Sequence, residues 1–173
     1  MVKLWRCEIC GDSYIGEEPP THCPFCGAHK QFIKESKKAE VTFDIELNDK
    51  DQKNVVHALE VEMSNAAFYF CAAEKTENDE GKLLFKALGK VEAEHANIWR
   101  KVLKLKTLPK EKEPCKSNYK ENLEDSHARE TRAIEFYKNS AEETENKRLK
   151  TIFEALSVIE DDHLHLSEER LKY

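Results

Sequence analysis

Shifting the chain against itself by 68 positions aligns its helical part without a gap. Glu62 falls on Glu130, and Tyr69 on Tyr137. Ala73–Asn78 (AEKTEN) falls on Ala141–Asn146 (AEETEN). Phe85, Leu88, Glu92 and His95 fall on Phe153, Leu156, Glu160 and His163. Within this repeat the apolar residues recur in heptad fashion. The four seams are Val55-Leu59-Glu62-Ala66-Tyr69-Ala73, Phe85-Leu88-Glu92-His95-Trp99-Val102, Leu123-His127-Glu130-Ile134-Tyr137-Ala141 and Phe153-Leu156-Glu160-His163. Alternating steps of three and four keep each set on one helix face. The chain is therefore expected to form a duplicated helical hairpin whose halves are related by an approximate twofold axis. Asn48 or Asp49 is placed to cap the first helix. The connection between hairpins, Leu105 to Asn118, contains Pro109 and Pro114 and is long for a tight turn. A crossover along the bundle between helices 2 and 3 fits it better.

The seams carry residues that do not belong in hydrocarbon without compensation. Each half offers one Glu on its first helix (Glu62, Glu130) and a Glu-x-x-His on its second (Glu92 with His95, Glu160 with His163). Residues i and i+3 share a helix face, so each Glu-x-x-His can reach one centre. Four buried carboxylates need counter-charge, and two divalent ions supply it. The same constellation defines the ferritin-like di-iron and di-manganese carboxylate bundles, so these six residues are expected to hold a dinuclear metal site. Tyr69 and Tyr137, seven residues after Glu62 and Glu130, read as core aromatics or as donors to ligand carboxylates. His127 lies on the third seam one turn before Glu130, opposite Leu59 in the repeat, and reads as a hydrogen-bonded core histidine. Glu94, Asp161 and Asp162 fall off the seams and are expected in solvent.

Four of the six cysteines sit in the first 26 residues as two C-x-x-C pairs, Cys7 with Cys10 and Cys23 with Cys26. In a cytosolic chain that pattern argues for metal, not disulfides. A two-residue spacer lets one turn aim both sulfurs at one ion, and Gly11 and Gly27 follow where a positive φ closes such a turn. A segment this short cannot build a sufficient core, and four thiolates on one ion supply the stability. Zinc gives an inert knuckle and iron a one-electron centre; the spacing does not separate them. Cys71 reads as a small residue in an apolar helix, and Cys115, in the basic connection, is given no role. The chain divides into a metal module (1–36), a charged linker (37–48) whose alternating VTFDIEL leaves room for a strand, and the bundle (49–173).

The net charge of −6 argues against general nucleic-acid binding. The basic run Lys101–Lys120 reads as a solvated connection. No apolar run approaches the roughly 18 residues of a membrane span. The opening MVKLWRCEIC lacks a signal-peptide apolar region, so a cytoplasmic protein is expected.

The motif WRCEICG followed by CPFCGA resembles rubredoxin in the shortened form attached to rubrerythrins, and Trp5, Tyr14, Phe25 and Phe32 fit that pattern. With the doubled Glu-x-x-His, nearly the whole chain resembles a rubrerythrin in reverse order, its rubredoxin module at the front. The resemblance implies a mainly α fold: a rubredoxin-like four-cysteine knuckle plus a ferritin-like four-helix bundle. It implies iron rather than zinc at Cys7, Cys10, Cys23 and Cys26, and a dinuclear non-haem iron site at Glu62, Glu92, His95, Glu130, Glu160 and His163. It further implies an oxidoreductase that reduces hydrogen peroxide, or dioxygen, to water. Electrons would come from an unidentified NADH-linked or rubredoxin-linked donor through the knuckle iron, often across the interface of a homodimer. One position departs. Peroxide-reducing rubrerythrins resemble one another in an extra Glu one turn after the third-helix ligand, where this chain has Ala133. Two other readings stand beside this one: a ferroxidase or iron-handling protein, and a non-enzymatic metal-stabilised binding protein with zinc in the knuckle.

Overall fold

The computed structural model describes residues 1–172. A small antiparallel sheet of order β2-β1-β3 comes first: β1 Lys3–Cys7, β2 Ser13–Gly16 and β3 Ile33–Glu35. Four helices follow: α1 Asp49–Lys75, α2 Asp79–Val102, α3 Tyr119–Glu143 and α4 Lys147–Leu171. The architecture is mainly α, a knuckle-bearing sheet attached to a four-helix bundle.

Every helix starts at an asparagine. Asn48, Asn78, Asn118 and Asn146 each accept backbone N–H bonds from the first turn that follows, which satisfies donors a helix start otherwise leaves open. Asn78 and Asn146 are repeat partners, so the short turns within the two hairpins are built alike.

Contacts across the bundle give the helix directions. Tyr69 meets Glu130 and Tyr137 meets Glu62, so α1 and α3 run antiparallel. His95 faces Glu160 and His163 faces Glu92, so α2 and α4 do as well. The chain leaves α2 after Val102, yet Tyr119 at the start of α3 lies against Gly81 and Phe85 near the start of α2. Residues 103–118 therefore travel the length of the bundle, as the two-proline connection led one to expect.

That path also corrects the reading of two cysteines. Cys71 is half-buried, one side of the seam, and faces the crossover instead of the core; it forms a disulfide with Cys115, with Cα atoms 5.9 Å apart. The crossover is held to the helices again where Ser64 donates to Glu113 Oε1 at 2.8 Å and Arg129 pairs with Glu113 at 3.2 Å.

The linker forms no strand among the described residues. Its alternation is real as burial: Val41, Phe43, Ile45 and Leu47 turn inward and Thr42, Asp44 and Glu46 outward. No sheet edge pairs with it. Phe43 instead lies between the cations of Lys101 and Arg148, 5.3 and 5.8 Å from its ring, and packs with Val41 against Gly11.

The knuckle docks on its own bundle. Lys101 Nζ donates to the Cys10 carbonyl at 2.8 Å, and Arg148 Nη2 to the Glu8 carbonyl at 2.5 Å. Gly27 (φ +78) is pressed so close to α4 that a Cβ there would lie 3.0 Å from Ile159 Cγ2. Both Gly11 and Gly27 adopt the positive φ expected after their cysteine pairs.

Candidate metal centres

The structure brings Glu62, Glu92, His95, Glu130, Glu160 and His163 into one buried cluster. His163 is 6% exposed and the other five are fully buried. The cluster divides into two overlapping groups, Glu62-Glu92-His95-Glu160 and Glu92-Glu130-Glu160-His163, each with ligand atoms within 4.8 Å of one another. Glu92 and Glu160 belong to both. His95 Nδ1 lies 3.5 Å from Glu92 Oε2 and 3.1 Å from Glu160 Oε1, while His163 Nδ1 lies 2.9 Å from Glu92 Oε1 and 2.9 Å from Glu160 Oε2. Each of these carboxylates thus turns one oxygen to each histidine, the disposition of a bridge between two ions. Glu62 belongs to the His95 side and Glu130 to the His163 side.

The donor set fits metal. Glu62 Oε2, both oxygens of Glu92, Glu130 Oε2, Glu160 Oε1 and His95 Nδ1 are buried and make no hydrogen bond. Leaving such groups unsatisfied costs about 1–3 kcal/mol each, more when charged. Two divalent cations would satisfy them together and balance four carboxylates. Carboxylates mixed with imidazoles suit iron, manganese or zinc.

Neighbouring groups aim these side chains. His95 Nε2 lies 2.8 Å from the Cys26 carbonyl. A carbonyl only accepts, so Nε2 carries a proton and Nδ1 is the atom turned toward the carboxylates, where a metal would take it as ligand. The Tyr69 hydroxyl donates to Glu130 Oε1 and the Tyr137 hydroxyl to Glu62 Oε1. Each phenol thus serves the carboxylate of the other hairpin. Trp99 Nε1 in turn donates to the Tyr137 oxygen at 3.2 Å.

Charge and burial set the protonation tendencies. Burial pushes the Glu62 and Glu130 carboxyls well above the usual range, and the charges of Glu160 and Glu92 push them further. Burial acts the same way on Glu92 and Glu160, with Glu92 adding to it at Glu160, but the facing imidazoles hold both below that range. Burial disfavours charge on His95 and His163, yet the surrounding carboxylates raise both well above the ordinary imidazole value. Burial, then the adjacent carboxylates, raises Tyr69 and Tyr137. The pocket is an electrostatic trap for positive charge.

The second centre lies in the knuckle. Cys7, Cys10, Cys23 and Cys26 are buried with free thiols. Cys7 Sγ is 3.7 Å from Cys26 Sγ, and Cys10 Sγ is 3.8 Å from Cys23 Sγ. Sulfurs about 2.3 Å from a tetrahedral ion stand about 3.8 Å apart, so the four are already spaced for one. The Asp12 N–H points at Cys10 Sγ from 3.5 Å. Hydrogen bonding among the thiols splits their acidities: the Cys10 contact holds Cys23 low, and the same pairing pushes Cys10 up.

Other expectations fare differently. His127 is half-exposed, 3.3 Å from Glu168 Oε1, and is no part of either ligand group. Ser126 occupies the buried side of that turn. Its hydroxyl lies 2.8 Å from both Tyr69 Oη and Ser167 Oγ. Repeat logic could not find this serine, because its partner position is Ala58; its place four residues before Glu130 was the available signal. Glu94 is half-buried and pairs with Lys101 at 3.3 Å. Asp161 is exposed, as expected, but Asp162 Oδ2 lies 2.6 Å from His29 Nε2 of the knuckle.

A four-helix bundle with this buried cluster, preceded by a four-cysteine knuckle, defines the ferritin-like class of metal-binding proteins. Residues 53–166 match the rubrerythrin family model, and residues 5–33 match that of the rubrerythrin rubredoxin-like domain. The chain belongs to the rubrerythrin family. It is similar to reverse rubrerythrin-1 of Clostridium acetobutylicum, with 28% identity over 113 residues that cover 59% of this chain. The match spans 62% of that relative's length. No solved structure gives a significant match. Among the described residues no helix is long and apolar enough to cross a membrane.

Proposed function

We propose that the protein is a non-haem di-iron oxidoreductase that reduces hydrogen peroxide to water, drawing electrons through an iron held by Cys7, Cys10, Cys23 and Cys26. One observation carries this reading: the hydrogen bond from His95 Nε2 to the Cys26 carbonyl. It joins a residue of the four-thiolate centre to a residue of the carboxylate cluster within one chain. In this reading the link gives the electron a short covalent and hydrogen-bonded path from a knuckle thiolate residue to a ligand of the cluster.

Glu62, Glu92, His95, Glu130, Glu160 and His163 would hold the iron pair, which when bound supplies electrons for splitting the O–O bond. The rest is done by the chain. Tyr137 and Tyr69 fix Glu62 and Glu130 by donating to one oxygen of each, leaving the other oxygen to the metal. Trp99, Phe153 and Phe85 close the bundle around the cluster and exclude bulk water. Reducing one peroxide to two waters consumes two electrons and two protons. The buried hydroxyl row Ser167 Oγ, Ser126 Oγ, Tyr69 Oη ends at Glu130 Oε1 and would hold a proton next to that carboxylate.

A cavity of about 370 Å³ opens between α1 and α3, and Asn65 and Ala133 contribute to its wall. They stand one turn after Glu62 and Glu130. The small Ala133 side chain leaves room for a small polar oxidant to approach from this side.

The test starts from iron-loaded protein reduced without oxygen until the knuckle's visible band is lost. One equivalent of hydrogen peroxide is added in a stopped-flow instrument. Rapid return of the band, much slowed in Glu92→Ala/His95→Ala, supports the relay. No rapid return with both centres loaded rejects peroxide as the oxidant; dioxygen and ferrous ion are then tested in the same instrument. A homodimer and an external reductase fit this reading, the former measured by sedimentation.

A further inference from the structure

We propose that His22, His29 and Asp162 form a third metal site, binding a divalent transition-metal cation that clasps the knuckle to α4. It does not depend on the activity proposed above.

The loop that carries the second cysteine pair also carries two histidines. His22 precedes Cys23, and His29 lies three residues after Cys26. Their backbones pair in an isolated antiparallel bridge. Inside it, Cys23 N donates to the Ala28 carbonyl at 2.7 Å and Gly27 N to the Cys23 carbonyl at 2.9 Å. This bracing presents both imidazoles side by side, with ring centroids 4.6 Å apart. Little loop entropy remains to be lost when they bind an ion.

The third group comes from the bundle. Asp162 Oδ2 lies 2.6 Å from His29 Nε2 and 3.8 Å from His22 Nε2. The three ligand atoms all lie within 4.8 Å of one another. Nitrogens and an oxygen bound to a tetrahedral zinc at about 2.0–2.2 Å stand roughly 3.4 Å apart. A small opening of the His29–Asp162 contact and a small approach of His22 therefore seat the ion. His22 Nδ1 is 3.2 Å from Thr21 Oγ1, which steadies the ring with Nε2 toward the cluster.

The chemistry selects the cation class. Two imidazoles and one carboxylate suit zinc, cobalt or ferrous ion and disfavour magnesium and calcium, which prefer all-oxygen sites. The side chains are 51%, 30% and 45% exposed for His22, His29 and Asp162. An ion can enter from solvent and keep water in its remaining positions. Asp162 neighbours His163 in sequence but meets the knuckle, so this site is separate from the buried cluster. Because its ligands come from both parts, the bound ion opposes their separation.

The experiment uses the full iron-loaded chain, dialysed against low-micromolar zinc, with zinc and iron counted in the same sample. The expected result is about one zinc per chain with iron unchanged. His22→Ala and Asp162→Asn should each weaken zinc binding tenfold or more, again with unchanged iron and visible spectrum. Zinc should raise the melting temperature of the parent and leave both variants unmoved. The proposal is overturned if the parent binds no zinc beyond its iron sites, or if His22→Ala binds as much as the parent. Should Asp162→Asn disturb iron loading, the exposed His22 decides alone.

Discussion

The phenol of Tyr137 on α3 donates a hydrogen bond to Oε1 of Glu62 on α1, reaching that carboxylate from the other hairpin. Tyr137→Phe frees Glu62 to rotate and strips Trp99 Nε1 of its acceptor. Metal affinity at the His95 side should fall by about tenfold or more, and stability by about 1–3 kcal/mol. Chelator competition and thermal melting read the two effects. Unchanged affinity would show that the phenol does not orient the ligand.

Glu62→Gln should act in opposite directions with and without metal. In the metal-free protein it removes one of four clustered buried carboxylates, so the melting temperature should rise. In the loaded protein it removes a ligand, and the gain in melting temperature on adding ferrous ion should shrink. A fall in both states would argue that Glu62 is held by interactions other than metal.

Gly27→Ala tests the docking of the knuckle. The positive φ disfavours a side chain by roughly 1–2 kcal/mol, and the new methyl meets Ile159. The knuckle should lift from α4 and lengthen the Cys26–His95 contact. Return of the visible band after peroxide should slow severalfold with iron content unchanged. An unaltered rate would exclude this contact from the relay.

Ala133→Leu narrows the inner wall of the cavity between α1 and α3. Added bulk at a buried position costs about 1–3 kcal/mol of stability. The apparent second-order rate with peroxide should fall by about fivefold or more, while the metal spectra stay the same. No change in rate would place the oxidant's entrance elsewhere.

The bundle was legible because its code is periodic. Seam residues such as Leu59, Leu88, Tyr137 and Leu156 declare their face through spacing alone, and the repeat checks each half against the other. His127 escaped that logic because the buried stripe of α3 is wider than its seam: Ser126, Ala133 and Ser140 also lie inside it, and near the helix start His127 is left at the rim. The Cys71–Cys115 disulfide depends on the path of the crossover, which no local spacing encodes. VTFDIEL announced alternating burial but could not say whether a partner strand existed. The Cys26–His95 and His29–Asp162 contacts depend on how the knuckle seats on the bundle, and they join residues far apart in the chain.

Among the described residues, the knuckle hydrogen-bonds only one of two sequence-equivalent histidines. His95 gives its Nε2 proton to the Cys26 carbonyl, whereas its duplicate His163 sits on the far side of the pair. The repeat makes two like ligand sets, and the docked module makes their surroundings differ. The His95 side meets the knuckle, and the Glu130 and His163 side meets the row of hydroxyls; in the relay proposed above these would be the sides that take in electrons and protons. A symmetric scaffold has thereby acquired two unlike sides, and spectroscopy should find two inequivalent ions where the repeat alone would give twins.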